Sequence, residues 1–241
     1  MKIEIFPDAD AVAQMGAEII AVEARAAVKA RGRFVLAVSG GHTPWQMLRA
    51  LATKDVPWSD VNVVQVDERV ALAGDPDRNL THLYETLMEH APLRREQIYA
   101  MPVEEPDLES AAKKYAETLE KIAGSPPMID LVHLGLGPDG HTASLVPGDP
   151  VLNITDRDVA ITGVYQGRRR MTLTYPILNR ARSILWFVTG KDKAAALARL
   201  REGDPTIPAG RIQRENALLL ADEAAAATEK KLHSGGAAST E

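Results

Sequence analysis

Phe34-Val35-Leu36-Ala37-Val38-Ser39-Gly40-Gly41-His42-Thr43-Pro44 is the stretch from which the fold is read. Its first five residues are apolar, too few for a helix and without the alternation of a half-exposed strand. Such a run fits a parallel strand covered on both faces. At Ser39 the character changes to a small-residue turn with a glycine pair, followed by a proline suited to the first turn of a helix. Strand, turn and helix in that order open a βαβ unit.

Outward from this stretch the same apolar signature recurs at 61–66, 129–134 and 184–188, with a shorter run at 218–220 and a short strand at 3–6. Helical patterns lie between them: an Ala-rich stretch capped by Asp8 or Asp10 and ending near Gly32, then 44–53, 80–90, 108–123, 191–201 and 223–232. Strands alternating with helices predict an α/β fold, a mostly parallel sheet flanked by helices. Residues 154–174 break the rhythm. There 159–165 and 171–174 read as β segments joined through Gly167-Arg168-Arg169-Arg170, an inserted or edge β hairpin. Residues 1–232 read as a single domain, and 233–241 as a mobile tail with nothing to bury.

Composition narrows the function classes. The 241 residues carry 28 Lys plus Arg against 33 Asp plus Glu, a net charge of −5, which argues against a nucleic-acid binder. No run approaches the roughly 18 apolar residues of a membrane span, and the first residues lack a signal-peptide core, so no membrane partner and a cytoplasmic location are expected. Cysteine is absent, which removes disulfides and thiol chemistry. None of the six histidines forms His-Glu-x-x-His, so no metal is expected. His133, inside an apolar strand, reads as a satisfied core residue.

Four polar motifs fall at four strand ends: Ser39 to Thr43, Asp67-Glu68-Arg69, Gly135 to His141, and Gly190-Lys191-Asp192-Lys193. In a parallel sheet the carboxyl ends share one edge, where open α/β folds bind ligands. The first motif reads as an anion cradle, with backbone N–H groups of Gly40 and Gly41 and hydroxyls of Ser39 and Thr43 at a helix start. The bland reading is an ordinary strand-to-helix turn. It lacks the Gly-Lys-Ser/Thr ending of a P-loop. Ser39 as a nucleophile would require glycine where Ala37 stands.

Gly135-Leu136-Gly137-Pro138-Asp139-Gly140 satisfies Gly-x-Gly-x-x-Gly and has Asp156 and Asp158 about twenty residues on, as a dinucleotide site would. Asp139 would set a negative charge beside the diphosphate, however. The alternative is that the turn presents Asp139 and His141 as chemical groups, an imidazole that exchanges a proton and a carboxylate beside it. Asp67, Glu68 and Arg69 must be paired, used or simply solvated. Arg168, Arg169 and Arg170, with Lys191 and Lys193, supply cations at or near the same edge, one of the three arginines being expected to point inward.

Taken together, these four motifs, with Gly135 to His141 continuing as Thr142-Ala143-Ser144-Leu145-Val146-Pro147, resemble the 6-phosphogluconolactonase family over about residues 1–230. The resemblance implies a modified Rossmann-like domain that hydrolyses 6-phosphogluconolactone to 6-phosphogluconate in the oxidative pentose phosphate pathway, with no cofactor. The partner it implies is a sugar-phosphate lactone, and the chain is expected as a monomer or small homo-oligomer. It implies a phosphate clamp of Ser39, Gly40, Gly41, Thr43, Arg170 and Lys193. His141 is then the general base, Asp139 orients water or substrate hydroxyls, Asp67 contacts the imidazole or the sugar, and Arg69 stabilises oxyanion charge. The related glucosamine-6-phosphate deaminases share the fold and ligand type but carry a Glu where Val146 stands. A non-catalytic sugar-phosphate sensor is the remaining alternative.

Overall fold

The computed structural model describes residues 1–227. The expected tail and the distal part of the 223–232 helix lie outside the described residues. Seven strands form one wholly parallel sheet: β1 (Lys2–Phe6), β2 (Phe34–Val38), β3 (Val61–Gln65), β5 (Ile98–Tyr99), β6 (Leu131–Gly135), β9 (Ser183–Val188) and β10 (Ala217–Asp222). Their order is β1-β10-β9-β6-β2-β3-β5. From β2 the chain builds outward through β3 to β5, and from β6 it builds the opposite way through β9 to β10. The winding therefore reverses between β2 and β6, and a crevice opens at such a reversal beyond the carboxyl ends of the two strands.

Both faces of this sheet are covered, which is why its strands lack alternation. Phe34, Leu36 and Val38 pack with Ile20 of α1 (Ala9–Arg31) and Met47 of α2 (His42–Leu51) on one face. Val35 and Ala37 pack on the other face with Tyr115 and Leu119 of α4 (Leu108–Ala123) and Ile177 of α5 (Tyr175–Arg180). Of the two candidate caps for α1, Asp8 is the one used, accepting from Ala11 N–H at 2.8 Å, and Gly32 closes the helix at φ 72°. The 191–201 pattern resolves into a 3₁₀ turn, Lys191–Lys193, leading into α6 (Ala194–Glu202). At 80–90 the pattern divides into α3 (Asn79–Leu83) and a π-helical turn, Tyr84–Met88. The last described helix, α7, spans Glu223–Ala226.

A second sheet corrects the sequence reading. Asp67-Glu68-Arg69 is not a polar turn but a strand, β4 (Asp67–Arg69), antiparallel to β8 (Arg170–Leu173), which pairs in turn with β7 (Val159–Ile161). The hairpin is thus part of a separate three-stranded sheet of order β4-β8-β7. Val66 joins the two sheets: its N–H donates to Val38 O at 3.0 Å, and its carbonyl accepts from Leu173 N at 2.9 Å. Charged residues are poor strand markers, so nothing local announced β4. Its pairing depends on a partner about a hundred residues away.

Candidate active site

The turn after β2 is shaped by close approach. A Cβ on Gly40 would overlap the side chain of Asn79, and Gly41 sits at φ 123°. Gly41 caps α2 without a side-chain hydrogen bond, so the cap residue leaves the N–H groups of the first turn unengaged. Thr43 Oγ1 lies 2.8 Å from Thr189 Oγ1, at the end of β9. Ser39 differs from its expected part in the cradle. Its hydroxyl donates to His133 O at 2.9 Å, so its hydrogen faces the sheet, and that proton has a carbonyl rather than a base as partner.

The turn after β6 is built around an imidazole. Gly137 N–H donates to His141 O at 2.8 Å and Gly140 N–H to Gly137 O at 3.0 Å, folding the loop back on itself. A Cβ on Gly137 would overlap the His141 ring, and one on Gly140 would overlap Ile207. These glycines make room for side chains of the protein itself. Asp139 Oδ1 stands 2.6 Å from His141 Nδ1 and accepts the His141 backbone N–H at 3.1 Å. Burial works to raise the Asp139 pKa, but hydrogen bonds and charge from His141 prevail and hold it below the usual carboxylate value. An ionised carboxylate only accepts, so the Nδ1 facing Asp139 is the donor, and Nε2 is the ring nitrogen not engaged by Asp139. Tyr165 OH donates to Asp139 Oδ2 at 3.3 Å, and its ring meets His141 edge-on at 5.6 Å between centroids. Burial and the Asp139 charge raise the Tyr165 pKa, keeping the phenol a donor.

The small sheet brings the remaining charges. Arg69 and Arg170 are register partners across β4 and β8. Like charges directly opposite repel, so this pairing is unfavourable unless an anion lies between or beside them. Arg69 Nη1 donates to Asn79 Oδ1, which ties it to the Gly40 turn. Arg170 packs over the Tyr165 ring at 5.1 Å, which ties it to Asp139 and His141. Burial lowers the Arg170 pKa, and nearby Asp67 opposes the shift. The neighbouring arginines turn elsewhere: Arg168 pairs with Asp75 and Asp77 at 3.1 and 3.0 Å, and Arg169 Nε donates to Thr162 O at 3.4 Å.

Asp67 does not reach the imidazole. Its carboxylate accepts from Ser144 Oγ at 2.6 Å and Asn79 Nδ2 at 3.3 Å. Glu68 points the other way, because alternate residues of a strand face opposite sides. It is fully buried, accepting from the N–H groups of Arg69, Asn79 and Leu80 at 2.8, 2.9 and 2.9 Å and from Gln65 Nε2 at 2.8 Å. Arg78 Nε, 3.2 Å away, completes a buried ion pair. Glu68 is therefore the anchor that sets α3 and presents Asn79 to the cleft.

These parts meet in one cavity of about 350 Å³ at the winding reversal. Ser39, Gly40, Gly41, Thr43, Asp67, Arg69, His141, Arg170 and Lys193 line it, and Asp139 stands behind the imidazole. Lys193 Nζ lies 3.0 Å from Asp192, its chain neighbour. Asn79, Ser144 and Tyr165 were missed by sequence reasoning. Asn79 carried no signal, being a single small polar residue, Ser144 stood within the quoted Gly135 to Pro147 motif without an assigned role, and Tyr165 was a lone aromatic beside the predicted Arg-rich turn. His133 lies in the core as expected but is not satisfied: Ser39 N–H reaches its Nδ1 at 3.4 Å, while Nε2 finds no partner among the described residues. Among the described residues no cluster of His, Asp and Glu is placed to hold a metal ion, and no helix is long and apolar enough to cross a membrane.

Fold and site define an open α/β protein with a glycine-rich turn at a helix start and a His–Asp pair at the same cleft. The sequence pattern of the family described as glucosamine-6-phosphate isomerases/6-phosphogluconolactonase matches residues 7–221, and the chain belongs to that family. It is 33% identical over 234 residues to a 6-phosphogluconolactonase of Nostoc sp., covering 94% of this chain and 97% of that one. A 6-phosphogluconolactonase of Mycobacterium tuberculosis is 36% identical over 240 residues, with the same 94% and 97% coverage. The crystal structure of a 6-phosphogluconolactonase from Shewanella baltica superposes with a TM-score of 0.79 at 27% identity, covering 92% of this chain and 97% of that one.

Proposed function

We propose that this protein hydrolyses 6-phospho-D-glucono-1,5-lactone to 6-phosphogluconate, the lactone-opening step of the oxidative pentose phosphate pathway, in the cytoplasm and with His141 as general base. The observation that carries the reading is the Asp139–His141 pair in the wall of a cavity that also holds the Gly40 turn, Arg69, Arg170 and Lys193. The identities to the Nostoc and Mycobacterium relatives, over nearly the whole of each chain, support the same reaction. At the position where the deaminases carry an acid stands Val146, apolar and buried, which favours lactonase over deaminase.

In this reading the 6-phosphate sits on the Gly40 and Gly41 turn, Thr43, Lys193 and Arg69. Arg69 moves from the oxyanion role to the phosphate end because Asn79 ties it to Gly40. Arg170, stacked on Tyr165, reaches from the phosphate toward the reacting carbonyl. Holding the phosphate positions C1, so remote binding energy lowers the barrier at the other end of the sugar. His141 Nε2 takes a proton from water as its oxygen bonds to C1. Asp139 stabilises the imidazolium so formed, taking the place of its expected role on water. When the tetrahedral intermediate collapses, the C1–O5 bond breaks and His141 returns the proton to O5. Asp67, held by Ser144 and Asn79, faces the sugar hydroxyls.

Acid release from freshly generated 6-phosphogluconolactone, with the spontaneous rate subtracted, tests the proposal. Acceleration that is lost with unphosphorylated gluconolactone is the expected result. Equal rates on both lactones would remove the phosphate clamp, and no acceleration would remove the activity.

A further inference from the structure

Behind Arg69 and Arg170 lies a second cavity of about 230 Å³, walled also by Gly41, Trp45, His82 and Arg168. Its hydrogen-bond account does not balance. Three of its acceptors are engaged by its own donors: Asp77 Oδ2 by Arg168 at 3.0 Å, Pro76 O by His82 Nε2 at 2.9 Å, and Gln166 Oε1 by Arg170 Nη2 at 3.2 Å. Donors are left over. Trp45 Nε1 and Arg170 Nε are buried with no acceptor among the described residues. Unpaired buried donors are costly, and the opposed Arg69 and Arg170 add like-charge repulsion. A ligand that only accepts and carries negative charge relieves both.

We propose that this second cavity, which shares Gly41, Arg69 and Arg170 with the lactone cleft as a common wall, is a further binding site for a phosphate-type oxyanion. Trp45 and His82, stacked at 3.9 Å between centroids, give it one aromatic wall. That wall suits either free phosphate or the head of a phosphomonoester whose organic part packs on the rings. Arg168 lines this cavity but not the lactone cleft, and its pairing with Asp75 and Asp77 keeps two carboxylates from repelling the anion.

Trp45 supplies the reporter, since Trp58 and Trp186 are buried and line neither cavity. Inorganic phosphate titrated into the full chain is expected to give a saturable change in Trp45 fluorescence. Arg168→Ala removes one cation and frees Asp75 and Asp77, so it should weaken that response about ten-fold or more. Its turnover of the lactone in phosphate-free buffer should equal that of the parent. Trp45→Phe, which keeps the packing, should weaken phosphate binding measured by calorimetry to a smaller extent. Phenyl phosphate binding more tightly than inorganic phosphate identifies an ester as the occupant, and equal binding identifies the free ion. No Trp45 response to either probe, or a response untouched by Arg168→Ala in a folded protein, overturns the proposal.

Discussion

The two sheets solve different problems with different residues. The large parallel sheet is apolar and covered on both faces, and its one fully buried ionisable side chain, His133, is kept neutral: burial pushes its pKa down to about 3. The small antiparallel sheet carries charge along its strands. Asp67 and Glu68 lie within it almost without exposure, each ringed by donors, and Arg69 stands opposite Arg170. The large sheet positions groups by where its strands end, whereas the small one positions them by what they bond to. The first depends on turn glycines that leave room for neighbouring side chains. The second depends on each partner, because a buried charge left alone is expensive.

The sharpest way to break this contrast is at the end of β6. His141→Ala should lower turnover by about 10²–10⁴-fold while the fold and KM are kept, since a general base contributes on that order. The measurement is the rate above the spontaneous background, and full activity would end the base assignment. On the small sheet, Glu68→Ala removes the buried partner of Arg78 Nε, leaves Arg78 only its outer ion pair with Glu104 at 2.7 Å, and unpairs the α3 N–H groups. It should cost about 3–5 kcal/mol of unfolding free energy in urea, and it should impair catalysis although Glu68 does not line the cleft. A loss within experimental error of zero would show that the buried pair is not the anchor described.

The neutral His133 sharpens the contrast through pH. Its folded pKa lies near 3 and that of an unfolded imidazole near about 6.5, so between these values the unfolded chain binds a proton that the folded chain refuses. Its contribution therefore falls as pH falls through that window, by up to about 1.4 kcal/mol per pH unit, and is flat above it. Urea midpoints at pH 7.5 and 5 should show a steeper loss for the parent than for a folded His133→Gln variant. Equal slopes would mean that water or motion lets the ring ionise in place. The smallest effect is expected from Tyr165→Phe, which removes one donor from Asp139. A net hydrogen bond of about 0.5–1.5 kcal/mol corresponds to roughly a two- to ten-fold fall in kcat, with the acid limb of the pH profile displaced. An unchanged profile would make Tyr165 packing only.

Much of the large sheet was legible because its signal is local. Five apolar residues at 34–38 fit a strand buried on both faces of a parallel sheet, and a polar motif at the carboxyl end of such a strand lies on the ligand edge. Asp139 and His141 were legible for the same reason, two residues apart on one glycine-rich turn. The small sheet was not. Asp67-Glu68-Arg69 has the composition of a turn and becomes a strand through β8, with Val66 changing sheets between Val38 and Leu173.

The amino-acid order by itself determined which strands are buried, where their polar ends fall and which imidazole stands beside which carboxylate, since each follows from neighbours in the chain. Only the tertiary structure decided that Arg170 faces the cleft while Arg168 pairs with Asp75 and Asp77, that Ser39 turns its hydroxyl into the sheet, and that Glu68 supports the site from behind. Those assignments depend on which charges meet across distant segments. That meeting is set by register and burial, quantities no single segment contains.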